Sequence, residues 1–206
     1  MKLSSPSTAR NKEPIAAVLA EVLPRKGVVF EVASGTGEHI VHFADRFEHL
    51  DWVPSDKDPG ALASIQAYVD EARQTLLLRN LGDPIVFDVE KGGWPDWEIV
   101  SVLCINMVHI SPWSATEKLL HGAAATRDLA HIRGWYETCP LILYGPFRRA
   151  GVATAPSNEA FDRSLQERNS AWGLRSVEQV AEQAAKSDLH LKRVVEMPAN
   201  NLMLIF

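Results

Sequence analysis

Two glycines and three carboxylates mark this sequence as a candidate ligand-binding chain. Glu31-Val32-Ala33-Ser34-Gly35-Thr36-Gly37 joins an apolar run at 28–33 to a helical pattern carrying Ile40, Val41, Phe43, Ala44 and Phe47. Glycines permit positive φ and let a ligand come close to the backbone. The helix that follows presents unpaired N–H groups toward the same place. Asp56 falls about 20 residues past the turn and closes a second short apolar run, where a carboxylate can take ribose hydroxyls. Asp88 closes a third. Each has a plain alternative: a Gly-x-Gly is often only a turn, and either aspartate could serve as a charge at a helix N-terminus. Their placement at the ends of three consecutive predicted strands favours a binding site.

The pattern also discriminates between ligands. A dinucleotide turn places a third glycine where this chain has Ile40, and that side chain hinders close helix–strand packing over a pyrophosphate. Glu31 would repel a pyrophosphate and suits an ammonium group. The constellation therefore fits an adenosine carrying an amino acid better than one carrying phosphates.

These residues need a parallel sheet to gather them. A helix from Lys12 presents Ile15, Val18, Leu19, Val22 and Leu23, with Pro14 in its first turn; residues 1–11 read as a polar arm or lid. Predicted strands at 28–33, 50–55, 84–87, 99–105 and 141–144 alternate with helices, including one from Asp58-Pro59 and one over 113–131. Residues 99–105 are almost wholly apolar, as a central parallel strand requires. A long polar insertion occupies 148–170, and a helix 177–185. Two closing strands, 189–195 and 202–206, are too close together for a crossover helix and must be antiparallel. The expected fold is α/β, a doubly wound, mostly parallel seven-stranded sheet with a C-terminal antiparallel hairpin, in one domain over 1–206.

Composition fits a globular chain: 206 residues, 46% hydrophobic and 23% charged. The net charge of -5 and a pI of about 5.8 recommend neither a nucleic-acid nor an anionic-membrane partner. Cys104 and Cys139 flank apolar runs and read as buried thiols. No His/Cys pattern has zinc spacing, so no metal is assigned. No apolar run spans a bilayer and the first residues do not resemble a secretory leader, so a cytoplasmic location is expected.

Glu31-x-x-x-Gly35-x-Gly37, Asp56, Asp88 and the late hairpin resemble the signatures of class I S-adenosylmethionine-dependent methyltransferases. Further segments are similar to the methyltransferase-like 26 family. They include Ala9-Arg10-Asn11-Lys12-Glu13-Pro14, Asn106-Met107-x-His109-Ile110-Ser111-Pro112-Trp113, Tyr144-Gly145-Pro146-Phe147, Trp172-Gly173-x-Arg175 and Met197-Pro198-Ala199-Asn200-Asn201. The stretch 132–138 departs from the proline- and glycine-rich turn usual there.

The resemblance implies S-adenosyl-L-methionine as cofactor and methyl transfer to an unidentified acceptor, a small molecule or a protein side chain. Gly35 and Gly37 would pass the methionine part, and Glu31 would hold its ammonium. Asp56 would accept ribose hydroxyls, and Asp88 with the backbone of Val89 would meet the adenine edge. Asn106 and Met107 would lie beside the sulfonium. Arg10 and Asn11 would close over the cofactor, Arg10 on its carboxylate.

His109 stands two residues past Met107. It is either a base for a departing proton or a residue that caps the loop. Trp113, Tyr144 and Phe147 either wall an acceptor pocket or pack. Ser157, Asn158, Asn200 and Asn201 either bond the acceptor or meet water. The segment 106–109 lacks the Asn/Asp-Pro-Pro-aromatic pattern of planar-nitrogen methylation. Two rivals remain: a cofactor-binding interaction or regulatory protein without transfer, and an NAD-dependent oxidoreductase.

Overall fold

In the computed structural model, residues 1–136 and 139–206 are described. Seven strands form one sheet in the order β3-β2-β1-β4-β5-β7-β6. The strands are β1 (Val28–Val32), β2 (Asp51–Asp56), β3 (Ile85–Val86), β4 (Ile99–Ile105), β5 (Leu141–Gly145), β6 (Arg193–Met197) and β7 (Asn201–Ile205). β1 to β5 pair in parallel, while β7 lies antiparallel to both β5 and β6. The expected parallel sheet with a closing hairpin is what the chain forms.

Among the described residues, six α-helices flank it: α1 (Pro6–Val22), α2 (Glu38–Arg46), α3 (Pro59–Thr75), α4 (Trp113–Ile132), α5 (Pro156–Arg168) and α6 (Val177–Ala185). β4 is buried at all seven positions and serves two cores. Val102 and Cys104 face one that includes Leu119 and Leu120 of α4 and Val180 of α6. Leu103 and Ile105 face another that includes Ile15 of α1, Phe43 of α2 and Ile65 of α3. This two-sided burial is why its sequence is apolar without alternation. Both cysteines are free and buried.

Several boundaries differ from expectation. α1 begins at Pro6, so residues 6–11 are helix and only 1–5 precede it. Its inward positions Thr8 and Asn11 continue the stripe of Ile15 and Val18, but they are polar, and an apolar periodicity passes over them. Pro14 therefore lies mid-helix, where it lacks the N–H that the Arg10 carbonyl would otherwise receive. The start of the chain is pinned over the glycine turn: Leu3 N donates to Ser64 Oγ at 2.8 Å, and Ser5 N to Glu38 Oε2 at 2.7 Å.

The polar insertion contains α5, a helix with only Asn158, Asp162 and Leu165 buried. Leu189, expected in a strand, instead seals the end of α6, its N–H bonding the Ala184 carbonyl after the left-handed Asp188. The departing stretch 132–138 begins at Ile132, the last residue of α4. Glu137 and Thr138 lie outside the described residues.

Candidate functional site

The order β2-β1-β4 places a change of winding direction at β1, where open α/β sheets bind ligands beyond their strand ends. A cleft of about 380 Å³ opens there. Gly35, Asp56, Asp88, Val89 and Met107 line it, as do Ala33, Lys57 and Phe87. Among the described residues, Arg10, Asn11, Glu31, Gly37, Asn106 and His109 are not part of its wall.

The glycine turn has two different needs. Gly35 has φ +59, and a Cβ built on it meets nothing within 4 Å. It borders open cleft. Gly37 has φ +90, and a Cβ there would lie 2.8 Å from the Ile65 Cα. That glycine lets α2 and α3 approach. Ala33 also adopts a left-handed φ of 57, a strained conformation for a side-chain-bearing residue.

Asp56 holds the turn to β2. Its Oδ2 accepts from Gly35 N at 3.0 Å, and its Oδ1 from Asp58 N at 3.0 Å. A carboxylate has about four lone-pair sites, so acceptor capacity remains. Asp88 accepts from Glu90 N at 3.2 Å and has Lys57 Nζ at 3.9 Å.

Glu31 is 1% exposed, and its Oε2 has no hydrogen-bond partner among the described residues. Burial pushes its carboxyl up to about 8; a Ser34 hydrogen bond opposes this, and the Asp56 charge adds to it. A buried acceptor without a donor carries a desolvation penalty that a donor would remove. This orphaned oxygen beside Asp56 fits the ammonium of an amino-acid ligand, and the open face of Gly35 leaves room for its chain.

Asn106 adopts φ 64 and opens a short 3-10 turn, Met107–His109. His109 is fully buried. Its Nδ1 accepts from Arg175 N at 3.3 Å, its ring meets Phe147 edge-on at 4.5 Å, and its Nε2 is without a partner among the described residues. Burial and the Arg175 charge hold its pKa down at about 3.

On the other side of the sheet, His39 Nε2 donates to Asn11 Oδ1 at 2.8 Å, and burial keeps His39 near a pKa of 4. Burial raises the pKa of the Tyr144 phenol, and Asn11 and Arg10 oppose the rise.

A family model described as protein of unknown function (DUF938) matches residues 2–206. The chain belongs to the DUF938 family. Its fold is that of class I methyltransferases. The mitomycin 7-O-methyltransferase MmcR superposes with a TM-score of 0.75 at 14% identity, over 97% of the DUF938 chain and 53% of its own. CalO1, a methyltransferase of calicheamicin biosynthesis solved with S-adenosylhomocysteine, gives 0.72 at 14% identity, with coverages of 97% and 53%. NcsB1, an O-methyltransferase from neocarzinostatin biosynthesis solved with S-adenosylmethionine and 2-hydroxy-5-methyl naphthoic acid, gives 0.70 at 14%, again 97% and 53%. The DUF938 chain spans about half the length of these proteins. At this identity the likeness concerns fold.

Other anticipated residues take packing roles. Tyr144 and Phe147 are buried in the two cores, and Trp113 lies beneath the Arg175 guanidinium at 5.7 Å. Asn158 Nδ2 donates to the Asn200 carbonyl at 2.9 Å and ties α5 to the β6–β7 turn. Asn169 and Trp172, from the turn after α5, also line the cleft of the DUF938 chain, and neither carried a site role in the sequence. Nothing in hydrophobic periodicity points to them; the signal for Trp172 is its place in the Trp172-Gly173-x-Arg175 segment, and Asn169 has none. No helix among the described residues is long and apolar enough to cross a membrane.

Proposed function

We propose that the chain binds S-adenosyl-L-methionine in this cleft and transfers its methyl group to a small-molecule acceptor or a protein side chain. The observation that carries the reading is Glu31, a fully enclosed carboxyl with an unpaired oxygen, one turn of chain from an open-faced glycine. When bound, the cofactor would supply an electrophilic methyl on sulfur. Glu31 would accept from its ammonium, and Asp56 from its ribose hydroxyls. Asp88 and the Val89 backbone would meet the adenine edge. Asn106 and Met107, at the end of β4, would flank the reacting centre. Arg10 would pair with the carboxylate from α1. Positioning and electrostatics would be the protein's share of an in-line displacement.

His109 is best read as the residue that shapes the Met107 turn. Serving as a base would require that turn to open, because the imidazole is enclosed. The specific resemblance to the methyltransferase-like 26 family belongs with this proposal. So does the absence of a nucleic-acid or membrane partner. The burial of His109 favours one second reading, a cofactor-binding regulatory protein without transfer.

A thermal-shift titration with S-adenosylhomocysteine, run beside NAD, tests the proposal. A ligand that binds only the folded state adds about 2.7 kcal/mol at a hundredfold excess over Kd. Stabilisation by S-adenosylhomocysteine alone supports the reading, and stabilisation by NAD alone contradicts it. Methyl-labelled cofactor offered to hydroxyl, amine and thiol acceptors then separates transfer from binding.

A further inference from the structure

Two stretches of the cleft wall come from distant parts of the chain. Met107, Ile110, Ser111 and Pro112 follow β4, while Asn169 and Trp172 belong to the turn after α5. One residue joins the two. The Arg175 guanidinium donates through Nε to the Val108 carbonyl at 3.2 Å, and through Nη2 to the carbonyls of Ser111 at 2.9 Å and Ala171 at 2.8 Å. Its main-chain N–H donates to His109 Nδ1 at 3.3 Å. Its carbonyl accepts from Arg148 N at 3.0 Å, in the chain that follows β5. Gly173 N adds a bond to the His109 carbonyl at 3.0 Å.

The partners of this arginine say what it does. Among the described residues it forms no salt bridge, and its side-chain hydrogen bonds all go to main-chain carbonyls. Those carbonyls stand beside the wall: Val108 follows Met107, Ser111 is itself in the wall, and Ala171 precedes Trp172. A guanidinium presents donors in several fixed directions and can satisfy two segments at once, whereas a lysine ammonium is a point on a flexible stem. We infer that Arg175 is a positioning residue of the cleft: it fixes the turn after α5 against the segment after β4, so that a ligand meets both in a single arrangement. The inference rests on the reading of this cleft as an S-adenosylmethionine site.

Calorimetric titration of S-adenosylhomocysteine into wild type, Arg175→Lys, Arg175→Ala and Arg73→Ala tests it, each protein held well below its unfolding transition. Arg73 is the control. Its Nη2 also donates to a main-chain carbonyl, that of Leu81 at 2.7 Å, but neither residue lines the cleft. A wall in register in only about a tenth of the molecules binds about tenfold more weakly. Arg175→Lys and Arg175→Ala should therefore lose about tenfold or more in affinity while folded. Arg73→Ala should lose stability to urea with its affinity unchanged. Undiminished affinity in either Arg175 variant that folds overturns the inference and leaves the cleft assignment standing. So does an equal loss in Arg73→Ala, since affinity would then only track stability. Failure of wild type to bind overturns the cleft assignment itself. Should neither Arg175 variant fold, hydrogen exchange of wild type decides the matter. Saturating S-adenosylhomocysteine should slow the amides of Gly173 and Ile110 beyond any slowing at Gly82, whose N–H donates to the Trp52 carbonyl away from the cleft. A slowing no greater at Gly173 than at Gly82 overturns the inference.

Discussion

Asp56 Oδ2 accepts the N–H of Gly35 at 3.0 Å, joining the end of β2 to the glycine turn after β1. One carboxylate thus shapes the cleft and lines it. Asp56→Ala should weaken S-adenosylhomocysteine by about tenfold or more and cost about 1–3 kcal/mol of stability, because two backbone donors lose a charged acceptor. Asp56→Asn, which keeps one acceptor oxygen, should fall between. Calorimetry and urea unfolding read the two effects separately. Unchanged affinity in Asp56→Ala would remove Asp56 from the ribose role.

The two glycines of the turn should fail in different ways. Gly37→Ala forces a methyl to within 2.8 Å of the Ile65 backbone at a φ of +90 and should compromise folding. Gly35→Ala meets open space, so the folded state should survive with about 1–2 kcal/mol of backbone strain. Its methyl would stand on the cleft wall, and ligand affinity should collapse. Circular dichroism with a thermal-shift titration separates the outcomes; a Gly35→Ala protein that binds normally would place the ligand elsewhere.

Glu31 makes stability fall as pH rises. Its carboxyl titrates near 8 in the fold against its ordinary 4.5, so between these values the native state holds a proton that the unfolded chain has lost. The contribution is at most about 1.4 kcal/mol per pH unit and levels off above 8. Ligand ammonium pairing needs the carboxylate, so affinity should rise with pH toward 8. Glu31→Gln should flatten both trends over this range. Buried His39 and His109, held to about 4 and 3, act oppositely. The native state resists protons that the unfolded chain accepts below 6.5, and stability is lost as pH falls. Denaturant midpoints from pH 4 to 9 check both limbs.

Gly145 exists for His109. A Cβ at Gly145 would lie 2.4 Å from His109 Nε2 and 2.6 Å from Cδ2, in the imidazole ring. Gly145→Ala should therefore destabilise by about 1–3 kcal/mol through overpacking. Adding His109→Ala should relieve part of that cost, giving a non-additive pair in a double-mutant cycle. Strict additivity would show that the two residues do not share the space.

Residues on the central strands were legible because burial on both faces writes itself as apolar runs, as in β4. The hairpin was legible because few residues separate β6 from β7. α5 was not, because its buried positions include Asn158 and Asp162, and Asp162 is held by Arg148 and by Leu174 N in place of apolar contacts. The same substitution of polar for apolar contacts hid the first turns of α1, where Asn11 bonds His39. In the site, Gly35, Asp56, Asp88 and Val89 stand at strand ends that their own neighbours predict. Trp172 reaches the same cleft through Arg175, a link across more than 60 residues that no local pattern records.

The orphaned Glu31 oxygen and the Gly35–Asp56 edge are proposed together as an S-adenosylmethionine site. Isothermal titration calorimetry of S-adenosylhomocysteine into wild type and Glu31→Gln tests it most directly. At pH 8 and above, one ligand per chain is expected in wild type, and binding weaker by about tenfold or more in Glu31→Gln, which cannot ionise to pair with the ammonium. No heat with wild type, or equal affinity in the two proteins, would contradict it.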